Sequence, residues 1–117
     1  MAILGASNKS ERYSFLALRK LREHGHNAIP IHPLLEEIDG VPVIADLDKI
    51  TEPIDTLTVY VGKNISDKQR EKIIKLNPKR VIFNPGAENP DLERDLNGHG
   101  IYVQNACTLV LLGTGQF

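Results

Sequence analysis

Residues 3–12 read ILGASNKSER, and residues 13–25 continue as YSFLALRKLREHG. An apolar run that stops at a glycine, a polar turn and then a helix-forming stretch is how nucleotide-binding α/β domains open. Gly5 allows a sharp turn and a close approach of backbone to ligand. The helix behind it offers free N–H groups and the positive end of its dipole to an anion. Ser7 and Ser10 add hydroxyls, while Lys9 and Arg12 add positive charge within one turn. The competing reading is a plain chain reversal with solvated charges. NAD fits this turn poorly. Its fingerprint requires glycines where Ser7 and Ser10 stand, and an acid at the end of the second strand, where the chain has His32-Pro33. The parts specific to phosphate are kept and those specific to NAD are missing, so a phosphorylated adenosine ligand is expected.

Working outward, short β-rich runs alternate with helical ones. Ala2 to Gly5 is the first strand, and Ser10 is expected to cap a helix from Glu11 to His24 that Gly25 ends. Ala28 to His32 is a second strand, with Pro30 suited to an edge. Glu36 and Glu37 read as a solvated turn, Asp39-Gly40 as a turn before a short extended segment Val41 to Ile44, and Asp46 to Ile50 as one helical turn. Leu57 to Val61 is a buried strand. Ser66 and Gln69 form a capping-box pattern for the next helix, which Asn77-Pro78 ends. Arg80 to Phe83 is a strand, Asn89-Pro90-Asp91 opens a helix closed by Asn97-Gly98, and Gly100 to Val103 is the last strand. Thr108 to Leu112 is a short apolar tail, helical or extended. Strands separated by helices of about ten residues call for parallel pairing through right-handed crossovers. The expected fold is α/β: one Rossmann-like domain over residues 1–117, a doubly wound, mostly parallel five-stranded sheet with helices on both faces.

Taken together, GAS-x-x-x-x-RYS (5–14), the prolines of IPIHPL (29–34), I-x-G-V-P-V (38–43), Leu47-Asp48, IDTLTVYV (54–61) and FNPGAEN (83–89) resemble the small stand-alone CoA-binding proteins. That family is akin to the CoA-binding domain of the succinyl-CoA synthetase α subunit, and the resemblance runs from about Ile3 to Leu112. It implies coenzyme A or an acyl-CoA as the ligand, lying across the strand ends. It points to Gly5, Ala6, Ser7, Lys9, Arg12 and Tyr13 around the phosphates, His32 and Pro33 beside the adenosine, and Pro85, Gly86 and Ala87 facing the middle of the ligand. The chain departs from the family at His32, where Asn is usual, and at Phe83-Asn84-Pro85-Gly86, where a Trp-x-Gln-x-Gly pattern is usual.

No convincing catalytic set emerges. Cys107 needs a base or a helix N-terminus to become a thiolate, and beside an apolar run it reads as a small buried residue. His99 lies between Gly98 and Gly100 at a helix end, and His24 and His26 flank Gly25; solvated positions are expected for all three, with no metal. Glu88 is the one acid in a ligand loop, as ready to bind a donor as to act as a base. The reading is therefore a CoA-binding protein without evident catalytic machinery. The alternatives are a small NAD(P)-binding oxidoreductase-like protein and an enzyme handling thioesters through Cys107.

With 117 residues and a formal net charge of -1, the chain suits a small-molecule nucleotide partner rather than nucleic acid or an anionic membrane. The apolar stretch YSFLALRKL is too short and too charged to span a bilayer. A lone cysteine, and a first strand that follows Met1 directly, fit a cytoplasmic location. Pairing through a sheet edge or the LVLLG tail makes a homodimer the expected assembly.

Overall fold

The computed structural model describes residues 1–117. The chain runs β1 (Ala2–Leu4), α1 (Tyr13–Glu23), β2 (Ile29–Ile31), β3 (Glu37–Ile38), β4 (Val41–Pro42), a 3-10 turn (Leu47–Lys49), β5 (Thr56–Val59), α2 (Lys63–Lys68), α3 (Arg70–Leu76), β6 (Arg80–Phe83), α4 (Pro90–Gly98), β7 (Tyr102–Asn105) and α5 (Thr108–Gly113). Five strands form one parallel sheet in the order β2-β1-β5-β6-β7, with Leu4 in register with Ile31 on one side and Val59 on the other. The strand order reverses between β1 and β5, which places the topological switch point beside Gly5.

Alternation along the strands divides the core. Ala2, Leu4, Leu57, Val59, Val81 and Phe83 pack on one face with Ile73 of α3 and Leu92 and Leu96 of α4. Ile3 turns to the other face, to Phe15, Leu18 and Leu21 of α1 and Leu112 of α5. Strands covered on both faces read as continuous apolar runs, which is why AIL, TLTV and RVIF are legible.

Several local expectations hold in detail. Asn89 caps α4, its Oδ1 accepting the Leu92 N–H at 3.2 Å with Pro90 following. Asn77 closes α3 in the left-handed conformation at φ 51°. Pro30 lies on edge strand β2, where its carbonyl accepts from Ile44 N–H at 3.0 Å. Thr108 to Leu112 is helical.

Others are corrected. Helix α1 begins at Tyr13 rather than Glu11, and Ser10 caps nothing; residues 9–12 instead form a turn closed by Arg12 N–H to Lys9 O at 3.0 Å. Glu37 is solvent-exposed as expected but lies in a strand rather than a turn, pairing with Pro42 in a two-residue hairpin reversed at Asp39 (φ 52°) and Gly40 (φ 77°). The last strand starts at Tyr102, two residues later than expected. The Ser66–Gln69 capping box does not form. Helix α2 starts four residues earlier, at Lys63 behind Gly62, so Ser66 lies inside it, fully buried, donating to Lys63 O (3.2 Å) and accepting from Asn89 Nδ2 (2.9 Å). A buried hydroxyl found a tertiary partner, and that outweighed the local cap.

Candidate functional site

Two cavities open at the carboxyl ends of the strands, and Gly5 is a wall of both. The first, of 540 Å³, is lined mainly by polar groups, among them Ser7, Lys9, Arg12, Ser14 and Tyr60, with Pro85 opposite. The second, of 410 Å³, has apolar walls from Ile31, Leu47, Val61 and Ile65, interrupted by His32, Asp46 and Gln69. Gly5 is required by the backbone itself. Its φ is +86°, and a Cβ there would stand 2.8 Å from Val61 Cγ1.

The first cavity is built by the start of α1. The N–H groups of Tyr13, Ser14 and Phe15 have no partner in the chain, no side chain caps the helix, and its first turn holds no acid. Ser14 is only 5% exposed, yet its hydroxyl bonds to nothing in the protein and the residue forms part of the cavity wall. Lys9 and Arg12 enter no ion pair and Glu11 on the rim pairs with neither, so one net positive charge faces the opening. Free amides at the positive end of an eleven-residue helix, an unbonded hydroxyl and two cations make an anion-binding surface.

The predicted residues divide accordingly. Gly5, Ser7, Lys9, Arg12, Tyr13 and Pro85 line the first cavity. Ala6 is buried on the side of the second, and its N–H is committed to Ile31 O at 3.3 Å, so it offers no amide to a phosphate. Gly86 and Ala87 lie at neither cavity. Gly86 N–H donates to Glu88 Oε1 at 2.9 Å, which also answers what Glu88 does, and Ala87 is packed in the core. Ser14 escaped sequence reasoning because it becomes a first-turn residue only once the helix starts at Tyr13.

His32 and Pro33 both line the second cavity. His32 Nδ1 accepts the N–H groups of Leu34 (3.0 Å) and Leu35 (3.2 Å). An Asn at this position would hold the same turn through Oδ1, so the imidazole substitutes for an Asx turn. With Nδ1 accepting, the proton of the neutral ring sits on Nε2. Asp46 is fixed from outside the cavity. Its Oδ2 accepts from Lys72 Nζ at 2.6 Å and its Oδ1 from Asp48 N–H at 3.2 Å, and the Lys72 bond leads the causes that hold its carboxyl below the usual range.

Beyond the first cavity lies a buried polar cluster. Asn84 Nδ2 donates to Thr58 Oγ1 (2.7 Å) and Val59 O (2.9 Å), Asn84 Oδ1 accepts Thr108 N–H (2.9 Å), and the two threonine hydroxyls bond at 2.8 Å. This cluster fixes α5 to the sheet. The Tyr60 hydroxyl is sealed beside it without a partner. Burial pushes that phenol up to about 12; the nearby Thr108 and Thr58 hydroxyls pull weakly the other way, but they are engaged with each other and make no bond to it. Cys107 precedes α5, half-buried, with no side-chain cap bond. His24 and His99 each bond a helix carbonyl through Nδ1, and His26 packs edge-on against Phe117.

A 2-1-5-6-7 parallel sheet with a glycine turn, a free helix start and paired cavities at its switch point defines a Rossmann-like nucleotide-binding class. The model of the CoA binding domain family matches residues 1–113, and the chain belongs to that family. It is similar to a solved structure of an uncharacterized protein, 40% identical over 99% of this chain and 95% of that one, with a TM-score of 0.94. It is also similar to cell-free ID.343 from Thermus thermophilus, at 29% identity, 99% and 88% coverage and a TM-score of 0.89. The dinucleotide-forming acetyl-coenzyme A synthetase 1 of Ca. Korarchaeum cryptofilum shares the fold at 20% identity and a TM-score of 0.76, over 90% of this chain and 25% of that enzyme. Uncharacterized protein YneT of Bacillus subtilis (strain 168) is 30% identical over 60 residues, 51% of this chain and 44% of its own length. No helix is long and apolar enough to cross a membrane.

Proposed function

We propose that this chain binds coenzyme A or an acyl-CoA as a binding module rather than as a catalyst. The observation that carries this is the start of α1: three unpartnered amides and the unbonded hydroxyl of the otherwise buried Ser14, opening on a polar cavity that meets an apolar one at Gly5. A CoA-type ligand has the same division. Its diphosphate suits the amides, Ser7, Ser14, Lys9 and Arg12; its nucleoside suits the apolar cavity past His32 and Pro33; its pantetheine arm suits the exit past Tyr13, Tyr60 and Pro85. The residues lining the cavities supply no nucleophile held by a base.

Titration calorimetry with CoA tests the reading. Ser14→Ala is expected to leave the melting temperature unchanged, because no intramolecular bond is lost, and to weaken CoA about tenfold, the worth of a charge-assisted hydrogen bond. Arg12→Ala is expected to weaken CoA and to flatten its salt dependence. If Ser14→Ala and Arg12→Ala bind CoA as wild type does, the phosphates lie elsewhere. Tighter binding of NADH than of CoA would replace this reading with a dinucleotide one.

A further inference from the structure

The second cavity carries information that the phosphate site does not. Its walls are apolar, and three polar side chains from three different elements interrupt them. One is already committed: each Asp46 oxygen holds a partner, Lys72 or the Asp48 amide. His32 is half committed, its Nδ1 spent on the loop and its Nε2–H left as the free donor. Gln69 is wholly free. It stands at the joint between α2 and α3, half-buried, and its side-chain amide bonds to nothing in the chain. The capping role its position suggests is void, because the Ser66 N–H it would have satisfied donates to Gly62 O at 3.0 Å.

We infer that Gln69, with the locked Nε2–H of His32, makes the second cavity a base-reading pocket selective for a 6-aminopurine. A carboxamide pairs in two-point fashion with adenine, its oxygen accepting from the exocyclic amine and its NH₂ donating to the adjacent ring nitrogen. The rest of the purine is apolar, and Ile31, Leu47, Val61 and Ile65 supply walls for it. The His32 ring adds a donor that cannot change tautomer without breaking two backbone bonds, so it selects acceptor atoms on the base or its ribose. This inference rests on the CoA reading, which already fixes the base as adenine, and adds to it the residues that read that base.

The test uses the full chain, CoA and 1,N6-etheno-CoA, whose bridged amine has no hydrogen left to donate on either edge of the purine and whose N1 is closed. Wild type is expected to bind etheno-CoA about tenfold or more weakly than CoA, the discrimination of one two-point pair. Gln69→Glu keeps the shape and the acceptor but loses the donor. It is expected to weaken CoA by about the same factor, leave etheno-CoA at the wild-type value, and melt within about 2 °C of wild type. At position 32, His32→Asn and His32→Asp both retain an acceptor for the turn, but only Asn keeps a donor. The Asn variant is expected within about threefold of wild-type CoA affinity, and the Asp variant about tenfold or more below it. Equal binding of CoA and etheno-CoA by wild type, or a Gln69→Glu variant that weakens both alike, overturns the base-reading role while the CoA site stands. Failure of wild type to bind either compound ends both proposals.

Discussion

At the scale of single residues, Tyr60 makes the sharpest prediction. Its hydroxyl is buried without a partner, so Tyr60→Phe removes an unsatisfied group and is expected to match or exceed wild-type stability at pH 7 by up to about 1 kcal/mol. The pH dependence follows from the direction of its shift. Burial raises the folded pKa to about 12 from an ordinary value of 10.0, so the native state favours the protonated phenol. That contribution is complete below pH 10 and is lost as pH rises toward 12. Urea midpoints of wild type are therefore expected to fall between pH 10 and 12 more steeply than those of the Phe variant; parallel curves would show the phenol to be hydrated. Gly5 behaves in the opposite sense. Gly5→Ala adds left-handed strain and a contact with Val61, and a loss of about 2–4 kcal/mol is expected in denaturant titrations.

At the scale of elements, α2, α3 and α4 are joined by one buried side chain and a set of surface charges. Asn89 caps α4 and also donates to Ser66 Oγ (2.9 Å) and Asp67 Oδ1 (2.8 Å). Around it Lys63 pairs with Asp67 and Asp91, and Arg70 with Asp67 and Asp95. Those pairs lie at the surface, half-buried at most, and are individually worth little. Asn89→Ala, by contrast, removes a cap and leaves the buried Ser66 short of a donor, so about 2–3 kcal/mol of destabilisation is expected by chemical denaturation. Lys63→Met, losing only surface pairs, is expected to stay within about 1 kcal/mol of wild type. The sequence shows the cap at Asn89, because Asn-Pro-Asp before an apolar run is a local signal. It misplaces the start of α2, because the partner of Ser66 lies 23 residues away.

At the scale of the molecule, the cavities depend on β1, β2 and β5 holding register, so a ligand that fills them stabilises the whole sheet. CoA at a hundred times its dissociation constant is expected to add about 2.7 kcal/mol, or about 10 °C in melting temperature for a chain of this length. A thermal scan with and without CoA checks this, and an unmoved transition at that saturation would separate binding from the native state described here.

The sequence by itself determined most of the main strands and helices, the parallel doubly wound sheet, the glycine turn at its switch point and the cations beside it. Each of these is written in neighbouring residues: apolar runs, a capping Asn, a Gly where φ must be positive. Only the tertiary structure decided which polar groups are spent and which remain free. It committed the Ala6 amide to Ile31 O and the Gly86 amide to the Glu88 side chain, sealed the Tyr60 hydroxyl, and left Ser14 and Gln69 unbonded at the cavities. The reason is that a hydrogen bond is made with whatever burial brings within about 3 Å, and between strands and crossover helices that partner is set by packing, not by its neighbours in the chain.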